Sequence, residues 1–167
     1  TVFVRTQKPI ISHAFKSQKF PTPYSMSTPT HTAIAADSPL TVEAGVKIAE
    51  AGGNAVDIAI AAALAATLSE MLMCSLGGSG FIMVQVPGQS PELIDGADGM
   101  PSGHLESPEN ADWWEVHLPY GDGIDVRGGH AAVAVPGLLA ALEMAGRRRG
   151  SLPWKELLAT ALELAKD

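Results

Sequence analysis

Twelve uncharged residues, IAIAAALAATLS, separate Asp57 from Glu70. A helix that is apolar on every side must be buried on every side, so 55 to 69 is expected to lie enclosed, against a sheet containing 81 to 86. Asn54 supplies its N-cap, and Asp57, three residues on, can meet the unpaired N–H groups of the first turn. The preceding helix starts at Ser38-Pro39, an N-cap followed by a proline at the first helical position. It carries Val42, Gly45, Ile48 and Ala49 on one face and stops at Gly52-Gly53. TAIAAD (32 to 37) reads as a short buried strand. FIMVQV (81 to 86), a Pro87-Gly88 turn and a second strand through Glu92, Leu93 and Ile94 predict an antiparallel hairpin. Residues 102 to 130 read as a long polar loop, and AVAVPG as a strand running into Pro136 and Gly137. LLAALEMAGRRR and PWKELLATALELAKD predict two amphipathic helices separated by Gly150-Ser151, the last with a stripe of Leu157, Leu158, Ala161, Leu162 and Ala165. That pattern is still helical at Asp167, which reads as part of a longer protein. The sum is α+β: helices layered on a largely antiparallel sheet.

Composition changes this picture at the N-terminus. Residues 1–32 hold Arg5, Lys8, Lys16 and Lys19, several prolines, many Ser and Thr, and no acid. They read as an extended arm, with an organellar transit segment as the alternative, ahead of a domain over 33–167. The 167 residues, 46% hydrophobic, are enough for one domain that buries about two-thirds of its unfolded surface.

The net charge of −7 is unevenly spread: no Lys or Arg falls between Lys47 and Arg127, while twelve Asp and Glu do. Such a surface repels phosphate backbones, which argues against a nucleic-acid partner. Arg147, Arg148 and Arg149 end a predicted helix, where cations favour its dipole. The apolar run from Ile58 to Leu68 falls short of the ~20 residues that span a bilayer, so no membrane partner is expected. One cysteine, Cys74, precludes an internal disulfide framework and a thiol-based zinc site.

Motifs of chemistry are sparse. GGSG (77 to 80) follows a helix and precedes a strand, the reverse of a phosphate-binding loop. Close packing of strand against helix, or close approach of a second chain segment, is the better reading of its glycines. His13, His31, His104, His117 and His130 show no metal-ligand spacing, so no metal is expected. GGSGF breaks the nucleophile-elbow pattern at Phe81. Thr1, followed by VFV, has the form of an N-terminal nucleophile, but a chain that happens to start there is the simpler reading.

The series AADSPLTVEAGVKIAEAGGNAVDIAIAAALAATLSE, GGSGFIMVQV, LIDGADGMP, AVAVPGLLAALE and LPWKELLATALELAKD, in that order, resembles the start of the large subunit of the γ-glutamyltranspeptidase family. The most specific piece is AGGNAVDIAIAAALAATL followed by GGSGF, and the resemblance covers about residues 33 to 167. It implies an αββα sandwich of the N-terminal-nucleophile hydrolase type, completed by segments outside this chain. Members are made as a precursor that cuts itself before a threonine. That threonine heads the small subunit, attacks an amide, and passes the acyl group to water or an amine. The nucleophile implied is thus downstream, no catalytic residue is expected in this chain, and no cofactor is implied. The implied partners are a small-molecule amide and the remainder of the large subunit and the small subunit of the same precursor. The resemblance implies export for many members, whereas the lack of a visible signal peptide favours the cytoplasm.

The chain departs from the family at one place. Where the transpeptidases read roughly DFRETAP, it has Asp95-Gly96-Ala97-Asp98-Gly99-Met100-Pro101. The family's arginine grips the α-carboxylate of the γ-glutamyl group, and here Ala97 stands in its place. Gly96, Ala97 and Asp98 are therefore the expected substrate-binding turn, and Arg127 is the nearest residue that could supply the missing charge, unless it is a solvated loop arginine. The expected function is that of an amidohydrolase or acylase with altered acyl specificity. The alternatives are a true γ-glutamyl transferase or hydrolase using Arg127 or a small-subunit residue, and a non-catalytic scaffold or binding subunit.

Overall fold

The computed structural model describes residues 2–7, 31–100 and 112–166. The chain forms two compact units, Thr1–Ser75 with Glu143–Asp167, and Leu76–Leu142.

In the first unit β1 (Phe3–Gln7) pairs antiparallel with β2 (His31–Ala35), Phe3 opposite Ala35 and Gln7 opposite His31. Part of the expected arm is thus a sheet strand, and residues 8–30 lie outside the described residues. β2 is not the buried strand that TAIAAD suggested, since Thr32, Ala33 and Ala35 are exposed. Alternate side chains of a strand face opposite ways, and Ile34 is the one turned onto helix α1 (Pro39–Glu50), where a Cβ on Gly45 would come within 3.2 Å of its Cδ1. α1 begins as its sequence dictates, with the Ser38 side chain accepting from the Leu40 N–H at 3.3 Å. It buries Thr41, Ala44, Gly45 and Ile48.

Helix α2 (Ala55–Ser69) opens with a complete capping box between Asn54 and Asp57. Ile58, Ile60 and Leu64 are each 1% exposed, the enclosure that an uncharged helix requires. Its packing partners in this unit are α1, α4 (Trp154–Leu164) and β1. The strand expected against it, 81 to 86, belongs to the second unit. Both ends of α2 carry buried polar anchors. Thr41 Oγ1 donates to Glu70 Oε1 at 2.9 Å and lies 3.0 Å from Ser69 Oγ. The fully buried Asp57 accepts from the N–H of Asn54 at 2.9 Å, Ser151 at 3.1 Å and Leu152 at 3.4 Å, and from the Ser151 hydroxyl. α4 buries Leu157, Thr160 and Ala161. Leu162 and Ala165, expected in its stripe, are exposed, so the covered face is narrower and turned toward Thr160.

In the second unit β3 (Gly80–Val84) and β4 (Glu92–Gly96) form the predicted antiparallel hairpin, Gly80 opposite Gly96 and Met83 opposite Leu93. The reading of 102 to 130 as loop needs correction. Residues 101–111 lie outside the described residues, but β5 (Trp114–Leu118) and β6 (Ile124–Gly128) form a second hairpin. Trp114, Val116 and Leu118 alternate with Glu115 and His117, a period-two pattern hidden among flanking Pro, Gly and Asp residues. The turn joining these strands uses Gly121 at φ 62 and Gly123 at φ 92, backbone that L side chains rarely adopt. A 3₁₀ turn (His130–Ala132) follows, and AVAVPG forms no regular strand, only a single antiparallel bridge between Val135 and Gly99. Helix α3 (Leu138–Arg149) then starts. The described residues therefore give a mixed fold of helices and two-stranded antiparallel sheets, the α+β class expected. Among them no helix is long and apolar enough to cross a membrane.

Candidate functional site

Three stretches that are far apart in sequence meet in the second unit: the turn before β3, the end of β4, and the start of α3. The Leu138 N–H donates to the Gly78 carbonyl at 3.2 Å. Gly99 and Val135 exchange both backbone hydrogen bonds, at 3.1 and 2.8 Å. Gly96 is buried, and a Cβ there would fall 2.6 Å from the Ala141 Cβ and 2.7 Å from the Gly80 oxygen. A Cβ on Gly137 would fall 2.4 Å from the Ala97 oxygen. Only glycine at both positions lets the helix start press directly on the turn. Gly78 and Gly80 of GGSG thus lie against the start of α3, a close approach of a second chain segment.

Above this clamp the turn is closed locally. Asp95 Oδ1 accepts the Ala97 N–H at 2.9 Å, an Asx-type turn in which a short carboxylate side chain takes over a backbone bond. Gly96 points into the junction, while Ala97, Asp98 and Asp95 are exposed. A methyl group is held at the crest between two acids.

The clamp makes a testable statement. Gly137→Ala should destabilise the protein by about 1–3 kcal/mol, the usual cost of forcing atoms into a closed contact, seen as a lowered thermal midpoint. Gly99→Ala in the same turn, where an added Cβ meets nothing within 4 Å, should be near neutral. Equal effects of the two would show that the Gly137 approach is not the constraint.

Arg127 lies elsewhere in this unit. It is exposed on β6, and its guanidinium carbon stands 4.4 Å from the centroid of the Trp113 ring. So the structure gathers Gly96, Ala97 and Asp98 into one turn and sets Arg127 on the second hairpin, against an aromatic ring. Nearby, His117 Nδ1 and Asp125 Oδ1 are 2.8 Å apart across the hairpin, and His130 Nδ1 bonds the Asp112 carboxylate. Cys74 is half-exposed and unpaired. Among the described residues no group of three or more His, Cys, Asp or Glu could hold a metal ion. Sequence reasoning missed Trp113 as a partner of Arg127. The signal for it was the alternation through 114 to 118, which sets the strand and so places 113 beside 127.

The family model "Gamma-glutamyltranspeptidase" matches residues 41–167, and the chain belongs to that family. Glutathione hydrolase proenzyme 1 of Schizosaccharomyces pombe is 31% identical over 123 residues, which cover 74% of this chain but 18% of the yeast protein. Acylase ACY 1 proenzyme of Pseudomonas sp. strain V22 is 33% identical over 139 residues, 80% of this chain and 24% of the acylase. The solved γ-glutamyltranspeptidase from Pseudomonas nitroreducens, complexed with L-DON, superposes with a TM-score of 0.64 at 28% identity over 80% of this chain and 38% of that one. The chain thus spans about a fifth to a quarter of the length of these curated relatives.

Proposed function

We propose that this chain is the N-terminal part of the large subunit of a self-processing amidohydrolase or acylase whose acyl pocket does not select a γ-glutamyl carboxylate. In the complete protein the fold closes into an αββα sandwich of the N-terminal-nucleophile type. A threonine heading the small subunit attacks the amide, and the acyl group passes to water or an amine. Kinship with proteins named as proenzymes, glutathione hydrolases and an acylase supports the general class. The finer reading rests on one observation, the exposed Ala97 on a clamped turn. A methyl group offers a carboxylate no hydrogen bond, and exposed Asp95 and Asp98 beside it repel one.

The test is a kcat/KM comparison of a γ-glutamyl anilide with neutral acyl anilides on the complete processed enzyme. Some neutral acyl anilide should be at least about tenfold faster, a discrimination of only ~1.4 kcal/mol at the transition state. Efficient γ-glutamyl turnover would overturn the reading.

A further inference from the structure

We infer that Trp113 and Arg127 form an anion subsite that takes a carboxylate carried by the substrate away from the position lined by Ala97. This rests on reading the chain as part of an amide-cleaving enzyme, and it adds where a charged substrate end can be held.

Arg127 is the sole Lys or Arg from 76 to 142, against nine Asp and Glu. An anionic group that meets the side chains of this unit has one cation to pair with. That cation is already positioned. Its guanidinium carbon stands 4.4 Å from the Trp113 ring centroid, a cation–π contact that uses the face of the ring and none of the guanidinium N–H donors. Glu115 lies opposite Arg127 across the hairpin, yet among the described residues Arg127 enters no ion pair within 4.0 Å. Asp125, the acid two residues away on the same strand face, is held instead by His117 at 2.8 Å. Its N–H donors are therefore left for a ligand.

The platform is also fixed from behind. A Cβ on Gly129, at φ 122, would fall 2.8 Å from the Trp113 Cα, so the chain after Arg127 lies directly against the aromatic residue. The Asp112 carbonyl accepts the Ala131 N–H at 3.0 Å, and the Asp112 side chain bonds His130. The segment that makes these contacts continues to Val135, which pairs with Gly99 beside the Ala97 turn. Subsite and turn therefore belong to one connected framework within this unit.

The ligand chemistry follows from the surroundings. A planar carboxylate matches the guanidinium fork with two parallel hydrogen bonds. A phosphate dianion would meet twice the repulsion from the surrounding acids. The subsite suits a monoanionic carboxylate, on the acyl chain or on the leaving amine.

Two measurements on the complete processed enzyme test this. Acyl anilides of matched chain length, with and without a terminal carboxylate, and anilides with and without a ring carboxylate, are compared for wild type, Arg127→Ala, Arg127→Lys, Trp113→Ala and Trp113→Phe. For one carboxylate-bearing series, KM should rise about tenfold or more in Arg127→Ala, less in Arg127→Lys and Trp113→Phe, with kcat and the neutral series unchanged. The series that responds tells acyl from amine. In parallel, binding of butyrate, a monoanion, is followed by tryptophan fluorescence, which requires no turnover and should weaken by a similar factor in Arg127→Ala. An enzyme that cleaves no amide defeats the proposed function and leaves this readout to decide the subsite. Equal losses on neutral and charged substrates, or butyrate binding that is absent in wild type or indifferent to Arg127→Ala, would overturn the inference.

Discussion

Asp57→Ala should destabilise the protein by about 3–5 kcal/mol, the range for breaking a buried charged network rather than trimming a surface contact. Asp57 has no solvent-exposed surface, and its two oxygens accept from Asn54, Ser151 and Leu152 backbone N–H groups and from the Ser151 hydroxyl. Alanine would leave four donors facing a methyl group. A buried donor without a partner costs about 1–3 kcal/mol, and relaxation or an entering water recovers part of the sum. The carboxylate also joins two places 94 residues apart, the first turn of α2 and the link between α3 and α4, so its loss should loosen α4 against α2. Asp57→Asn should fall between, because it keeps one acceptor and turns an NH2 group toward donors. Ser151→Ala should cost least, about 1 kcal/mol, since the Ser151 and Leu152 N–H bonds survive. Urea midpoints at unchanged slope give the ranking. Asp57→Ala within about 1 kcal/mol of wild type would mean that the carboxylate is not structural.

The sequence showed half of this feature. Asn54 with Asp57 three residues on is a capping box that local spacing reveals, and it forms as read. The other half, Ser151 and Leu152, is a pairing between distant segments for which local spacing carries no signal. The same divide runs through the fold. The ends of α1 and α2 and the β3–β4 hairpin depend on caps, glycines and period, all local, and were legible. The hairpin of β5 and β6 was not, because Pro119, Gly121 and Gly123 read as loop chemistry and masked the alternation on either side. AVAVPG failed in the opposite sense: its apolar run looks like a strand, but a lone bridge to Gly99 is all that forms.

For the candidate site, the resemblance pointed to the 96–98 turn before any geometry. What it could not supply was the support beneath, Gly96 against Ala141 and Gly137 against the Ala97 carbonyl. That support matters for specificity, because a side chain can choose a ligand only if its backbone is fixed. The turn's place was legible from the resemblance, and its support only from the structure.

Ala97→Arg should therefore raise γ-glutamyl kcat/KM by about tenfold or more in the complete enzyme. A hydrogen bond to a charged group contributes about 1.5–3 kcal/mol, which converts to roughly ten- to a hundredfold in rate if it is made at the transition state. The backbone is ready to receive the change. The Ala97 N–H is held by Asp95, its carbonyl lies against Gly137, and its side chain is exposed, so a longer side chain displaces nothing below it. Asp98, exposed next in the chain, will compete for the new guanidinium. An exposed ion pair is worth at most about 1 kcal/mol, less than the gain, so the single substitution should still respond, and the response should grow in an Asp98→Asn background. Ala97→Lys should recover less, because an ammonium lacks the two-pronged donor that matches a carboxylate. Turnover of neutral acyl anilides should stay level or fall in each variant, since the new charge offers them nothing. A γ-glutamyl rate that does not move in Ala97→Arg, with or without Asp98, would show that this turn does not face the acyl end of the substrate.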